Sequence, residues 1–354
     1  MAFDDQFIRA MERKGKKETR QGRSEFVKKA EIARENNAAD PADFLGTGIV
    51  PDAQIQQDIQ TATDCEQRFG KPGYIASALE LVVNEGIDSG SFFSPVENGD
   101  TIESIDTSKY DDYINRVDTA ATIHRANGED LTFAIDLYSG DEPEKALQKI
   151  AKSSNVAGSN IFAGFTEIRY YEDQNGKKRL RNVPRYCIGV DKESIFAAVD
   201  EVGGIKNYFQ TTGMPSVKFK MLYEMSQQNA LYEQYLYEYQ DDFESQADGD
   251  NEFQKALHTM EDLDSIYQRE LGMAKRDLGP AFQKLSIDEI AKHFMSEDST
   301  FKTIVKATEK LTKEKDKEEE EGKEIDAKQA RRSGRRILEA FKRLASPKPK
   351  PGIA

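Results

Sequence analysis

Two aspartates eighteen residues apart, Asp118 and Asp136, are the side chains of this sequence best placed for joint chemistry. They belong to segments 117–125 and 131–138, which alternate apolar and polar residues, and Ala126-Asn127-Gly128 between them is a hairpin signal. A divalent ion needs hard oxygen ligands converging on one point. Neighbouring antiparallel strands supply that only where both carboxylates leave the same face. A strict two-residue turn at Asn127-Gly128 sends Asp118 and Asp136 to opposite faces, whereas a three- or five-residue turn puts them on one. The second register also gathers Ala121, Ile123 and Val117 with Leu131, Phe133, Ile135 and Leu137 on a single apolar face, so burial selects it. Aspartate is disfavoured inside strands, so the pair needs a reason: metal or catalytic work, or a capped strand end on an open face. Asp111, Asp112 and Asn115, just upstream, read as caps of a helix-to-strand corner.

An aspartate opening one strand, a hairpin, an acid on the next strand and then a helix resembles the PD-(D/E)xK nuclease superfamily. The resemblance covers about 108–191, through SKYDDYINRVD, FAIDLYSGDEPEKALQKI and PRYCIGVD, stretches also similar to uncharacterised proteins of candidate-phylum bacteria. It implies a restriction-endonuclease-like core and a metal-dependent endonuclease or phosphodiesterase. On that likeness Asp118 and Asp136 hold Mg²⁺, and DNA or RNA is the substrate. In that superfamily a lysine two positions after the second acid assists the attacking water, and here that position holds Tyr138. Some members draw the lysine from the following helix, where Lys145, Lys149 and Lys152 stand. At about 100° per residue these three lie opposite Leu147, Ile150 and Ala151, the pattern of a solvated face. Lys145, in the first turn and nearest the strand end, is the best placed of them to act as the catalytic lysine. The missing lysine also supports a rival reading, a non-catalytic protein-interaction or nucleic-acid-binding module on a degenerate nuclease-like fold.

Lys177, Lys178, Arg179, Arg181 and Arg185 put five cations within nine residues, beside Arg169, Tyr170 and Tyr171. Cations interleaved with tyrosines on a hairpin could track phosphates and stack bases. The alternative is an exposed hairpin whose charges keep an edge strand from aggregating. Glu167 is a further acid whose facing the sequence leaves open. The tyrosines at 223, 232, 235, 237 and 239 are interleaved with acids, which repel phosphate, so they read as core or partner contacts. His124, beside the turn, reads as exposed.

The elements that must position these residues divide the chain by texture. Residues 1–73 read as a basic arm, ten Lys/Arg against four Glu over 9–34, followed by a linker with one short helix near 53–61. Residues 74–205 run helix, two strands, helix, two strands, helix, an α+β or α/β layer with a mixed four-stranded sheet flanked by helices. The first helix, YIASALELVVN, is apolar enough to be buried and is expected to stop at Gly86. Residues 206–312 hold a long helical hairpin over 216–246 and 252–275. Phe253, Leu257, Met260, Leu263, Tyr267 and Leu271 form its seam, a surface for a protein partner or self-association. Residues 313–354 are a charged tail: a run without apolar residues over 313–324, a short basic helix at 330–344 and a proline-lysine end.

Over its 354 residues the chain carries 50 basic and 64 acidic side chains, a net charge of −14, which argues against wrapping nucleic acid with the whole surface. The charge is uneven, however, and 9–34, 177–185 and 328–350 are locally basic. Two distant cysteines and three scattered histidines exclude a disulfide scaffold and a cysteine- or histidine-rich zinc site. No apolar run reaches membrane-spanning length and the first residues lack a signal-peptide core, so the expectation is a cytoplasmic protein without a membrane partner.

Overall fold

The computed structural model describes residues 21–29, 32, 38–70, 74–93, 100–126, 128–138, 142–151, 164–173, 175–202, 214–244 and 249–321. The chain before residue 21, Asn127, Lys152 and everything after 321, including the expected 330–344 helix, lie outside these residues.

The chain folds as an α+β structure around a five-stranded mixed sheet in the order β1-β2-β3-β5-β4. Its strands are β1 (Thr101–Asp106), β2 (Thr119–His124), β3 (Asp130–Tyr138), β4 (Phe165–Asp173) and β5 (Gly176–Gly189). Strands β1 to β3 form an antiparallel meander, β5 runs parallel to β3, and β4 pairs antiparallel with β5. The four expected strands are β2 to β5, and β1 is the addition. Ile102 and Ile105 of β1 are three residues apart and so serve opposite faces, Ile102 in the main core and Ile105 in a smaller cluster. An edge strand built this way shows no period-2 pattern.

Thr119 stands opposite Ile135 and His124 opposite Asp130, which is the register that burial selects. Ala121, Ile123, Leu131, Phe133, Ile135 and Leu137 accordingly enter one apolar cluster. Val117 departs from the expectation. Arg116 takes a left-handed conformation (φ 56°), the chain turns there, and Val117 packs on the other face with Ala120 and Ala134.

Helices cover the sheet. Helix α1 (residues 21–29) sinks Val27 into the main core and pairs Arg23 with Asp200, so this part of the expected arm is folded onto the body. The expected linker contains an 18-residue helix, α2 (Asp52–Phe69), because Ile55, Ile59 and Ala62 recur at helical spacing and pack with Phe44, Val50, Tyr110 and Tyr170. Helix α3 (Tyr74–Asp88) runs through Gly86 instead of stopping there. A β-carbon at Gly86 would stand 2.6 Å from the Phe92 ring, so the glycine makes room for the chain folding back over it. Helix α4 (Pro143–Ala151) follows β3, and α5 (Lys192–Val202) follows β5.

The remaining helices are α6 (Met214–Glu244), α7 (Gly249–Asp277), α8 (Ile287–Glu297) and α9 (Ser299–Glu321). Helix α9 carries the expected charge run as helix as far as residue 321. Helix α6 buries every residue from Ser216 to Ser226, a run that takes in all sides of its axis, as a central helix must. The α7 seam of Phe253, Met260, Leu263, Tyr267 and Leu271 belongs to this same core. The surface expected to dock a partner over 216–277 is thus largely occupied inside the chain. Tyr223, Tyr232 and Tyr235 are core residues, and Tyr237 is exposed.

One contact of α6 concerns the sheet directly. Strand β4 pairs with β5 only as far as Pro184, leaving the outer edge of the next residues open. The Gln228 side chain accepts from the Cys187 N–H and donates to the Cys187 C=O, both at 2.8 Å, and Glu224 accepts from the Gly189 N–H at 2.9 Å. Two side chains of a helix thereby do the work of a missing strand. Among the described residues no helix is long and apolar enough to cross a membrane.

Candidate active site

One sheet face holds a graded series of cross-strand pairs. His124 faces Asp130, Thr122 faces Thr132, and Ala120 faces Ala134. Asp118 stands at the end of this ladder, one residue before the last pair, Thr119 opposite Ile135. The Asp118 N–H still donates to the Ile135 C=O at 2.9 Å. Beyond it β2 no longer supplies backbone partners, and side chains take over the Leu137 peptide groups. Asp118 Oδ2 accepts from the Leu137 N–H at 2.5 Å, and Lys149 Nζ donates to the Leu137 C=O at 2.9 Å.

Lys149 also pairs with Asp136 Oδ1, and Arg185 Nη1 stands 3.3 Å from Asp136 Oδ2. The second Arg185 nitrogen donates to the Lys149 C=O at 2.7 Å, tying the last turn of α4 to the sheet. The Asp136 and Arg185 side chains are 3% and 2% exposed, the Lys149 side chain 24%, and Asp118 is half-buried. Two carboxylates and two cations thus share one end of the sheet face. Burial pushes the Lys149 amine down, but Asp136 and Asp118 more than offset this and hold it above its ordinary range. Cys187, beside Asp136 on β5, also moves upward: burial first, then the Asp136 charge, raise its thiol well above its usual value.

The lysine at this site is Lys149, and this corrects the expectation for Lys145. The Lys145 side chain is 63% exposed and pairs with Glu142 at 2.5 Å. The physical reason is the position of the buried stripe of α4, which is Ala146, Leu147 and Ile150. At about 100° per residue Lys149 lies about 110° from the centre of that stripe and Lys145 about 150° from it, so Lys149 is the flanking position whose stem can follow the core to the sheet. Tyr138, where the superfamily's lysine would stand, fastens the start of α4 instead. Its hydroxyl donates to the Glu142 C=O at 2.9 Å and accepts from the Glu142 N–H at 3.0 Å.

The cationic hairpin does not form a single patch. Arg185 lies in the part of β5 enclosed by β3 and the helices, which is why it is buried. The other four face carboxylates: Lys177 with Glu172 at 3.8 Å, Lys178 with Asp173 at 2.9 Å, and Arg179 and Arg181 with Glu167 at 2.5 and 3.7 Å. Only Arg181, 59% exposed, keeps most of its side chain in solvent. Glu167 is buried in a second ionic cluster, where Arg169 joins it at 3.0 Å and also meets Asp58 at 2.6 Å.

Asp111 anchors the corner before β2. It is fully buried and accepts from Ser108 Oγ, Asn115 Nδ2 and the Arg169 and Tyr170 amides at 2.7 to 3.1 Å. Burial raises its carboxyl above the usual range, and these hydrogen bonds oppose the rise. It is a structural fastener between that corner and β4. His124 is not simply exposed: its Nδ1 lies 2.9 Å from Asp130 and its Nε2 2.8 Å from Glu103.

Sequence reasoning missed Arg185 as a partner of Asp136. Its signal was an arginine directly before the run Tyr186–Val190, which carries no charge. Among the described residues no group of three or more His, Cys, Asp or Glu side chains is arranged to hold a metal ion. Comparison of the chain with family models, with curated proteins and with solved structures gives no match, so a functional reading rests on the geometry of this site.

Proposed function

We propose that this chain carries a divalent-metal-dependent phosphodiesterase centre of the nuclease type, acting on DNA or RNA in the cytoplasm. Asp118 and Asp136 are the metal-holding carboxylates, and Lys149 is the amine beside the attacking water. The observation that supports this reading is Lys149 at Asp136. It reaches the second acid from the following helix, where some PD-(D/E)xK members are described as carrying their lysine. The donor set suits an ion such as Mg²⁺, which is usually bound through one or two carboxylates and keeps several waters. When bound, such an ion lowers the pKa of a coordinated water and polarises a phosphoryl oxygen. The ammonium of Lys149 has three donors, enough to orient a water nucleophile while neutralising charge that develops on the phosphoryl group. Arg181 and the outer parts of Arg179 and Lys177 are the cations left to hold a phosphate backbone. Incubation of the purified chain with DNA and with RNA in Mg²⁺ or Mn²⁺ tests the assignment. Cleavage is expected in the wild type and is lost in Asp118→Ala and Asp136→Ala. Cleavage that survives both substitutions ends it.

A second reading, a non-catalytic binding module, is favoured by a different observation. Both oxygens of Asp136 already have cationic partners, in Lys149 and Arg185. Calorimetry separates the two: a folded protein that takes up neither Mg²⁺ nor Mn²⁺ is the module.

A further inference from the structure

The two cations on Asp136 are built differently. Arg185 projects from β5, its backbone N–H fixed to the Gly164 C=O at 2.9 Å, and its planar guanidinium bridges the Asp136 carboxylate and the Lys149 carbonyl. It therefore holds strand and helix together through two fixed contacts, in a group that does not deprotonate in proteins. Lys149 reaches in from the rim of α4 on a flexible four-carbon stem, and its ammonium is a compact, strongly hydrated charge. It is the more exposed of the two, and it meets Asp136 Oδ1 and the Leu137 C=O. Asp118 accepts from the N–H of that same Leu137. The ammonium thus stands at the open end of the ladder, among the oxygens of β3 and beside Asp118.

We propose that Arg185 is a fixed positioning residue and Lys149 an exchangeable counterion, so that a divalent cation binding at Asp118 and Asp136 displaces the Lys149 ammonium from Asp136. This rests on the metal-dependent reading above and extends it to regulation of the same site. Without metal the centre is internally neutralised, with two carboxylates against two cations. With metal, Lys149 is released and its three donors are free for water and phosphate. Arg185 stays in place, because moving it would leave a buried carboxylate without its partner and detach the last turn of α4.

Mn²⁺ titration calorimetry on the full chain tests the exchange through binding alone. A competing ammonium lowers metal affinity, so Lys149→Gln and Lys149→Met are expected to bind Mn²⁺ at least about tenfold more tightly than the wild type. Lys149→Arg, which keeps the charge, shows no gain, and Asp118→Asn removes the binding. A lysine with a purely structural role gives the opposite result, equal or weaker affinity in both neutral variants. That result, alongside wild-type binding abolished by Asp118→Asn, overturns the exchange and leaves the metal site standing. No Mn²⁺ uptake by the wild type or by either neutral variant overturns both.

Discussion

His124 joins three strands through one ring, with Glu103 of β1 on Nε2 and Asp130 of β3 on Nδ1. A neutral imidazole has one N–H and could donate to only one of these carboxylates, so the pair of contacts favours the imidazolium. Burial pulls its pKa down, but the hydrogen bonds and charges of Glu103 and Asp130 outweigh it, and the net direction is upward from 6.5. A histidine whose folded pKa is raised contributes stability that is fully present below the unfolded pKa and is lost as pH rises through the folded value. Unfolding midpoints in denaturant should therefore fall as pH is raised from about 6 through the range above 6.5. Histidine-to-glutamine replacement, His124→Gln, should lower the midpoint at pH 6 and flatten that slope. An unchanged slope in the variant would show that the imidazolium is not the source. This residue lies at the end of the sheet face away from Asp136, so cleavage or metal uptake should not track the same titration.

Strand β5 shows how an element can depend on residues far away in sequence. Its segment 185–189 is hydrogen-bonded to β3 on one side and, beyond the Arg185 bond to Gly164, to side chains of α6 on the other. Gln228→Leu preserves volume approximately but leaves the N–H and C=O of Cys187 without their partner in a dry interior. Each unsatisfied buried group costs roughly 1–3 kcal/mol, so the expected loss is about 2–5 kcal/mol in equilibrium unfolding. Native-state hydrogen exchange at Cys187 should accelerate with it, and a loss below about 0.5 kcal/mol would mean that water replaces the amide. The same dependence explains which elements the sequence could reveal. Segments 117–125 and 131–138 were legible because their alternation serves one deep core face. The apolar helices were legible because their spacing is 3.6. Strand β1 was hidden because its two isoleucines serve two faces, and Arg185 because it lies in a strand whose other side is closed by α6. The choice between Lys145 and Lys149 turned on a shift of the buried stripe to Ala146, a tertiary fact that nine residues of helix cannot announce.

At the scale of the molecule, the sequence textures at 74–205 and 206–312 suggest two units, but the packing joins them. Phe133 and Tyr186 of the sheet meet the Tyr267 ring of α7 edge-on, with centroids 6.2 and 5.6 Å away. The Ile304 side chain of α9 lies so close to Gly189 that a β-carbon there would stand 2.6 Å from it. Lys220 of α6, itself buried, holds Asp191 after β5 at 3.0 Å and Asp298 before α9 at 2.7 Å. One apolar cluster runs from Leu79 through Phe133 and Tyr186 to Met260 and Ile304, taking in residues of the sheet and of the helices together. A piece covering 74–205 would expose that face to water and strip the open edge of β5 of Gln228 and Glu224. It would also leave Asp191 without Lys220. Burial of the aromatic side chains alone is worth about 1.5–3 kcal/mol each, a large share of the ordinary 5–15 kcal/mol of a folded chain. Residues 74–205 expressed alone should therefore fail to give a cooperative thermal transition or dispersed amide resonances, while the full chain unfolds in one step that includes sheet and helices together. A 74–205 piece that melts cooperatively would show the helical shell to be an appendage, and the clustering of Asp118, Asp136, Lys149 and Arg185 would then be a property of the sheet and α4 alone.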